Sequence, residues 1–147
     1  MVVVTLIGFL AMLAVPGFKV IKLRALSASF VSDARSFSEA FQRYAQEKGS
    51  FPATAGVAVV PPGMEDYIAS TDWTKTASIG GNYRWVNIPS SDPDRGPFEM
   101  GALMVAGATL SLEEFELIDG WIDDGSTNTG NFIVGGAGSM ILYYVEN

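Results

Sequence analysis

The sequence predicts an α+β protein in which one long, protruding N-terminal α-helix packs against a small antiparallel sheet of three to four strands. The first 18 residues, Met1 to Phe18, carry no charge and one hydroxyl, Thr5. They run without a turn signal into an amphipathic stretch that ends near Lys48-Gly49. Short alternating or apolar runs follow, separated by turns rich in glycine and proline. A long helical pattern followed by strands is the order of an α+β fold.

The apolar run admits three structures. It lacks the basic start and small-residue exit of a cleaved signal peptide. As a helix its 18 residues reach about 27 Å, slightly short of a bilayer core. A helix buried inside a soluble domain needs a larger domain around it than the remaining chain offers. The sequence therefore favours a membrane-competent helix, broken in propensity by Gly8, Pro16 and Gly17. In lipid such breakers persist where neighbours satisfy the freed backbone groups, so this segment is read either as a kink or as a stretch able to extend outside the membrane. Lys19, Lys22 and Arg24 flank the run on its C-terminal side, which by the positive-inside rule places the rest of the chain in the cytoplasm. A basic leader ahead of Met1 reverses that orientation.

From Leu23 the spacing is helical. Leu23, Leu26, Phe30, Ala34, Phe37, Phe41 and Tyr44 form one apolar stripe, while Ser29, Ser32, Ser36, Glu39, Gln42, Gln46 and Glu47 fall mostly off it. Gly49, after Lys48, has the character of a C-terminal cap, and Pro52 prevents resumption. A single helix over 1–48 spans about 72 Å, far more than the diameter of the head that follows. Its second half can pack on the head; its first half must protrude.

The head begins irregularly. Pro61-Pro62-Gly63 and Ile79-Gly80-Gly81-Asn82 are turns, with a short helix expected between Met64 and Ser70. Tyr83 to Ile88 alternates and is aromatic, a strand. Pro89 to Pro97 is a loop and Met100 to Ala106 a buried strand. Ser111 with Glu114 forms a capping box that opens a helix through about Ile118. Asp119 to Asn131 is expected as a polar loop. Phe132 to Val134 and Met140 to Val145 are strands joined as a hairpin through Gly135-Gly136-Ala137-Gly138. The chain thus divides into a rod, 1–50, and an acidic α+β head, 51–147.

Composition narrows function. The 147 residues contain no Cys and no His. Disulfides, thiolate metal sites, cysteine nucleophiles and the Ser/His/Asp triad are excluded, along with the commonest general base. The net charge of −7 is uneven, +3 over 1–50 and −10 over the rest. An acidic head repels phosphate backbones, so nucleic acid is not expected as its partner.

Candidate chemistry is sparse. Gly135-Gly136-Ala137-Gly138 lacks the Lys-Ser/Thr of a phosphate loop. Glu113, Glu114 and Glu116 suit helix-start electrostatics better than the carboxylate pair of a glycosidase. Trp73, Trp85 and Trp121 are expected in the core or at subunit contacts rather than stacked on a sugar. Asp119, Asp123, Asp124 and Asn128 gather hard oxygen donors, the type calcium takes. Against that, Asp124-x-Ser126-x-Asn128 lacks the glycine and the late glutamate of a calcium-binding helix–loop–helix. No catalytic site is expected.

Val2-Val3-Val4-Thr5-Leu6-Ile7-Gly8-Phe9-Leu10-Ala11-Met12-Leu13-Ala14-Val15-Pro16, continued by Tyr44-Ala45-Gln46-Glu47-Lys48-Gly49-Ser50-Phe51-Pro52 at the helix exit, resembles the N-terminal segment of type IV pilins and type II secretion pseudopilins. The likeness covers 1–52 and extends to the head only in architecture. Placing Gly8 and Pro16 on the family pattern puts Met1 about six residues inside a mature pilin, after its cleaved leader. The family's N-terminal glutamate, which pairs with a neighbour's terminal amine, has no counterpart here, and a truncated start is expected.

The resemblance implies a structural subunit held in the inner membrane and then extracted by pilus assembly or secretion machinery into a homo-oligomeric helical filament at the cell surface. In it Val4, Leu6, Ile7, Gly8, Phe9, Leu10, Leu13 and Pro16 form the assembly core, with Gly8 to Pro16 losing helix on assembly. Phe30, Phe37, Phe41 and Tyr44 hold the head on its stem. Major pseudopilins carry calcium in a C-terminal loop, so the alternative is a pseudopilin with calcium held by Asp119, Asp123, Asp124 and Asn128. A non-polymerising, membrane-anchored binding protein is the reading from a different class.

Overall fold

The computed structural model describes residues 2–88, 100–136 and 140–146. The side chains of 11–17, 140–142 and 144–146 lie outside that description, as does the expected loop at 89–97.

One helix, α1 (Val2–Lys48), precedes everything else. It stays helical across Gly8, Pro16 and Gly17. It stops where the sequence placed its end: Gly49 takes φ 81°, a conformation glycine adopts without strain, and its amide donates to the Ala45 carbonyl at 2.7 Å. The chain continues through a turn at Pro61, whose carbonyl accepts from the Met64 amide at 3.0 Å. The expected helix at Met64–Ser70 is a correction: the chain turns and bends over Glu65 to Ile68, and a five-residue helix, α2 (Ser70–Thr74), starts only at Ser70. Burial of Trp73 and its indole bond to the Val59 carbonyl, 2.8 Å, set where that helix lies.

Among the described residues the sheet has four antiparallel strands, β1 (Asn82–Ile88), β2 (Met100–Ala106), β3 (Phe132–Gly135) and β4 (Met140–Glu146), in the order β1-β2-β4-β3. Each lies within one or two residues of its expected place. The hairpin of β3 and β4 pairs Val134 with Ile141 and Gly135 with Met140, while its turn at 137–139 lies outside the described residues. The last helix, α3 (Leu112–Ile122), opens with the expected capping box: the Ser111 hydroxyl accepts from the Glu114 amide and the Glu114 carboxylate accepts from the Ser111 amide. It runs four residues beyond the expected end at Ile118.

The core forms between the α1 stripe and one face of the sheet. Phe30, Phe37 and Phe41 are buried against Trp73, Tyr83, Trp85, Leu103, Val105 and Phe132, with Phe115 and Ile118 of α3 closing the side. Tyr44 is half-buried and meets Tyr67 edge-on, 5.5 Å between centroids. Phe30, Phe37 and Phe41 fill space in the core, as expected for packing residues. Polar ties span the same seam. The Asp33 carboxylate accepts from the Lys75 ammonium and the Tyr83 hydroxyl, each at 3.0 Å, and Ser78 donates to the Leu26 carbonyl at 2.9 Å.

Candidate functional site

The first feature with functional meaning is the apolar end of α1. Val2, Val3, Val4, Leu6, Ile7, Phe9, Leu10 and Phe18 are between 57% and 74% exposed. On a helix with 100° per residue these positions cover about 220° of the circumference, with Thr5 and Gly8 in the remaining sector, so this end presents a broad apolar face rather than one seam. Thr5, the only hydroxyl in the run, donates to the Val2 carbonyl at 3.0 Å, so its polar group is turned inward on the helix itself. A Cβ added at Gly8 would meet nothing within 4 Å. Leu13 and Pro16, also expected in the assembly core, have side chains outside the described residues. Among the described residues no helix is long and apolar enough to cross a membrane; positions 11–17 fall in the middle of the apolar run.

The second feature is a carboxylate cluster at the end of α3. Asp119 was expected in a polar loop; it lies in the last turns of the helix, fully buried. Asp123 caps that helix, its amide donating to the Asp119 carbonyl at 2.7 Å. The four-residue step puts both side chains on one helical face. Asp124 follows, and the loop beyond orients it: one oxygen accepts from the Ser126 amide at 2.8 Å, the other from the Thr129 hydroxyl at 2.6 Å. An Asp123 oxygen accepts from the amides of Asn131 and Phe132. Gly130 takes φ 77°, and a Cβ there would overlap the Asp123 carboxylate. The result brings one ligand oxygen from each of Asp119, Asp123 and Asp124 within 4.8 Å of one another.

Three carboxylates this close repel, and the cost falls on the buried one. Burial first, and then the charges of Asp123 and Asp124, push the Asp119 carboxyl up to about 6. The Thr129 hydroxyl and the Ser126 amide hold Asp124 below the usual carboxylate value. Both Asp119 oxygens are buried and neither makes a hydrogen bond of good geometry, although the Asp124 carboxyl and the Gly125 amide lie near enough to act on the Asp119 charge. Orphaned buried oxygens are rare in folded proteins and ask for a counterpart.

The donor set fits a hard divalent cation such as calcium: three carboxylates, no nitrogen or sulfur ligand, and a buried anionic side chain otherwise unsatisfied. Asp119, Asp123 and Asp124 would hold it. Asn128 is exposed, and none of the contacts described for these carboxylates comes from its side chain, so it stands apart from the expected set.

The remaining candidates resolve as structure. Trp73 and Trp85 are fully buried, leaving Trp121 as the exposed tryptophan. Glu114 is occupied in the capping box. Comparison with known proteins adds nothing to these assignments: no family model, no curated protein and no solved structure matches this chain.

Proposed function

We propose that this chain is a structural subunit, stored in a membrane through α1 and polymerised through it into an extracellular filament of the type IV pilus kind. The observation that carries this reading is the eight large apolar side chains exposed along the apolar part of α1. Taking each out of water contributes about 1.5–3 kcal/mol, and together they are comparable with the roughly 4–15 kcal/mol cost of association. Grease over more than half of a rod's circumference is sheltered more fully by lipid or by several like rods than by one partner surface. Contacts between stems that repeat along an axis do not close, so they extend a filament. The head, tied to its stem by the Phe30–Phe41 core and the Asp33 contacts, would then tile the outside.

The test is electron microscopy of cell-surface material sheared from cells that express the chain, with antibody against the head. Labelled filaments are expected. Their absence, with the chain held in the membrane fraction, would assign it instead to a non-polymerising, membrane-anchored binding protein.

One observation favours the pseudopilus variant of this reading. The buried, unpartnered Asp119 beside Asp123 and Asp124 is suited to a stabilising calcium ion. Such an ion would lock the end of α3 to the loop leading into β3, a structural role that requires no chemistry of the bound ion.

A further inference from the structure

At the base of the head α3 leans on α1. The Arg24 guanidinium lies over the Trp121 ring, 5.3 Å from its centroid. Next to them opens a groove of about 830 Å³, lined among others by Ser27, Val31, Ser32 and Arg35. Arg24 and Arg35 are its cations, and Glu39, fifteen residues beyond Arg24, is its acid. Toward the apolar end, Lys19 and Lys22 are exposed, with Val20 and Ile21 exposed between them. Along α1, Lys19 to Arg24 lie about 1.5–9 Å beyond Phe18. That interval matches the headgroup layer of a bilayer whose hydrocarbon ends at Phe18.

We propose that this end of the head docks on anionic lipid headgroups, with a phosphate received by Arg24 at the groove, Lys19 and Lys22 reaching the same headgroup layer from other sides of the stem, and Trp121 seated at the interface. The proposal rests on the membrane-stored subunit described above and adds which surface of the head meets the lipid. A tryptophan beside basic residues, directly after an apolar run, is the composition proteins place at a membrane–water boundary. A second copy is the weaker occupant, because bundled stems bring the same cations of several subunits together.

Trp73 and Trp85 are fully buried while Trp121 is 37% exposed, so Trp121 can be read by fluorescence against a constant background. The full chain is reconstituted into phosphatidylcholine vesicles, with or without phosphatidylglycerol, carrying a headgroup-attached quencher, and floated on a density gradient. Expected is about twofold stronger quenching in the anionic vesicles, lost in Trp121→Phe and reduced to the zwitterionic level in Arg24→Gln. Failure of the chain to float overturns the membrane-stored reading and this proposal with it. Flotation with equal quenching in both vesicles, or with no effect of Arg24→Gln, overturns the proposal alone. Quenching that follows protein density rather than lipid charge assigns the face to a second copy and also overturns it. So does inorganic phosphate, without vesicles, changing Trp121 emission as much as the anionic vesicles do.

Discussion

The Phe41 ring lies flat on the Trp85 indole, with 3.7 Å between centroids and 8° between planes. It joins the amphipathic half of α1 to β1 through two residues 44 positions apart in the chain. Trp85 is held from the other side by its indole bond to the Pro52 carbonyl, 3.0 Å, and Phe41 also meets Trp73 edge-on at 5.7 Å. Phe41→Ala removes the ring from a site with no exposure and leaves a cavity facing two indoles. The expected cost is about 3–5 kcal/mol. Chemical denaturation followed by tryptophan emission should show the midpoint fall with little change in slope; an unchanged midpoint counts against the assignment of this stripe as the joint between stem and head.

A second prediction concerns the outer end of the same indole, at its Cζ2 and Cη2 atoms. Gly101 of β2 lies under the Trp85 ring, and a Cβ added there would overlap it. The obstacle is a buried aromatic held by Phe41 and by a hydrogen bond, so it cannot swing away as a lysine tip could. Gly101→Ala therefore forces the indole out of its stack, with an expected cost of about 1–3 kcal/mol from overpacking. Near-ultraviolet circular dichroism should lose part of its tryptophan band. Retention of both band and stability would mean that the sheet yields there.

Much of this arrangement is legible in the sequence because it depends on local rules. Gly49 after Lys48 and the Ser111–Glu114 box mark helix ends by backbone hydrogen bonding within a few residues, and both stand where expected. The α1 stripe is periodic, and its phenylalanines are buried. What the local rules missed was decided at longer range. α3 continues to Ile122, and the clue lay in Phe115, Ile118 and Ile122, spaced three and four apart; Asp119, four residues after Phe115, falls on that apolar face. Aspartate reads as a loop residue, and that preference hid its burial. The seat of Trp121 on Arg24 was not legible at all, since it depends on how two helices pack to bring together residues 97 positions apart.

The assembly reading makes a third prediction. Leu10 is 65% exposed on the protruding end of α1. Leu10→Lys places a charge where the subunit meets either hydrocarbon or neighbouring stems, and an unpaired charge is costly in both. Filaments should disappear from sheared surface material. In detergent the head of the same variant should melt as the parent does, because its core lies on the other half of the helix. Normal filaments from Leu10→Lys would remove the apolar end from the assembly mechanism.

The last prediction separates structure from cation at Asp119. Its folded-state pKa of about 6 lies above the ordinary value of 3.8, so between these values the folded chain holds a proton that the unfolded chain has released. With chelator present, stability from this group therefore rises as pH falls from 7 toward 4, opposite to a carboxylate stabilised by a partner. Asp119→Asn removes the charge, so it should raise the melting temperature at pH 7 and flatten the dependence between pH 4 and 7. Calcium reverses the ranking. A cation bound to the folded chain alone, at a hundredfold excess over its dissociation constant, contributes about 2.7 kcal/mol, or roughly 5–10 °C for a chain of this size. That gain should appear in the parent at pH 7, shrink as Asp119 protonates below pH 6, and be absent in Asp119→Asn. A thermal scan in which calcium leaves the parent unmoved, while Asp119→Asn still stabilises, would make the cluster a strained loop anchor and exclude it as a cation site.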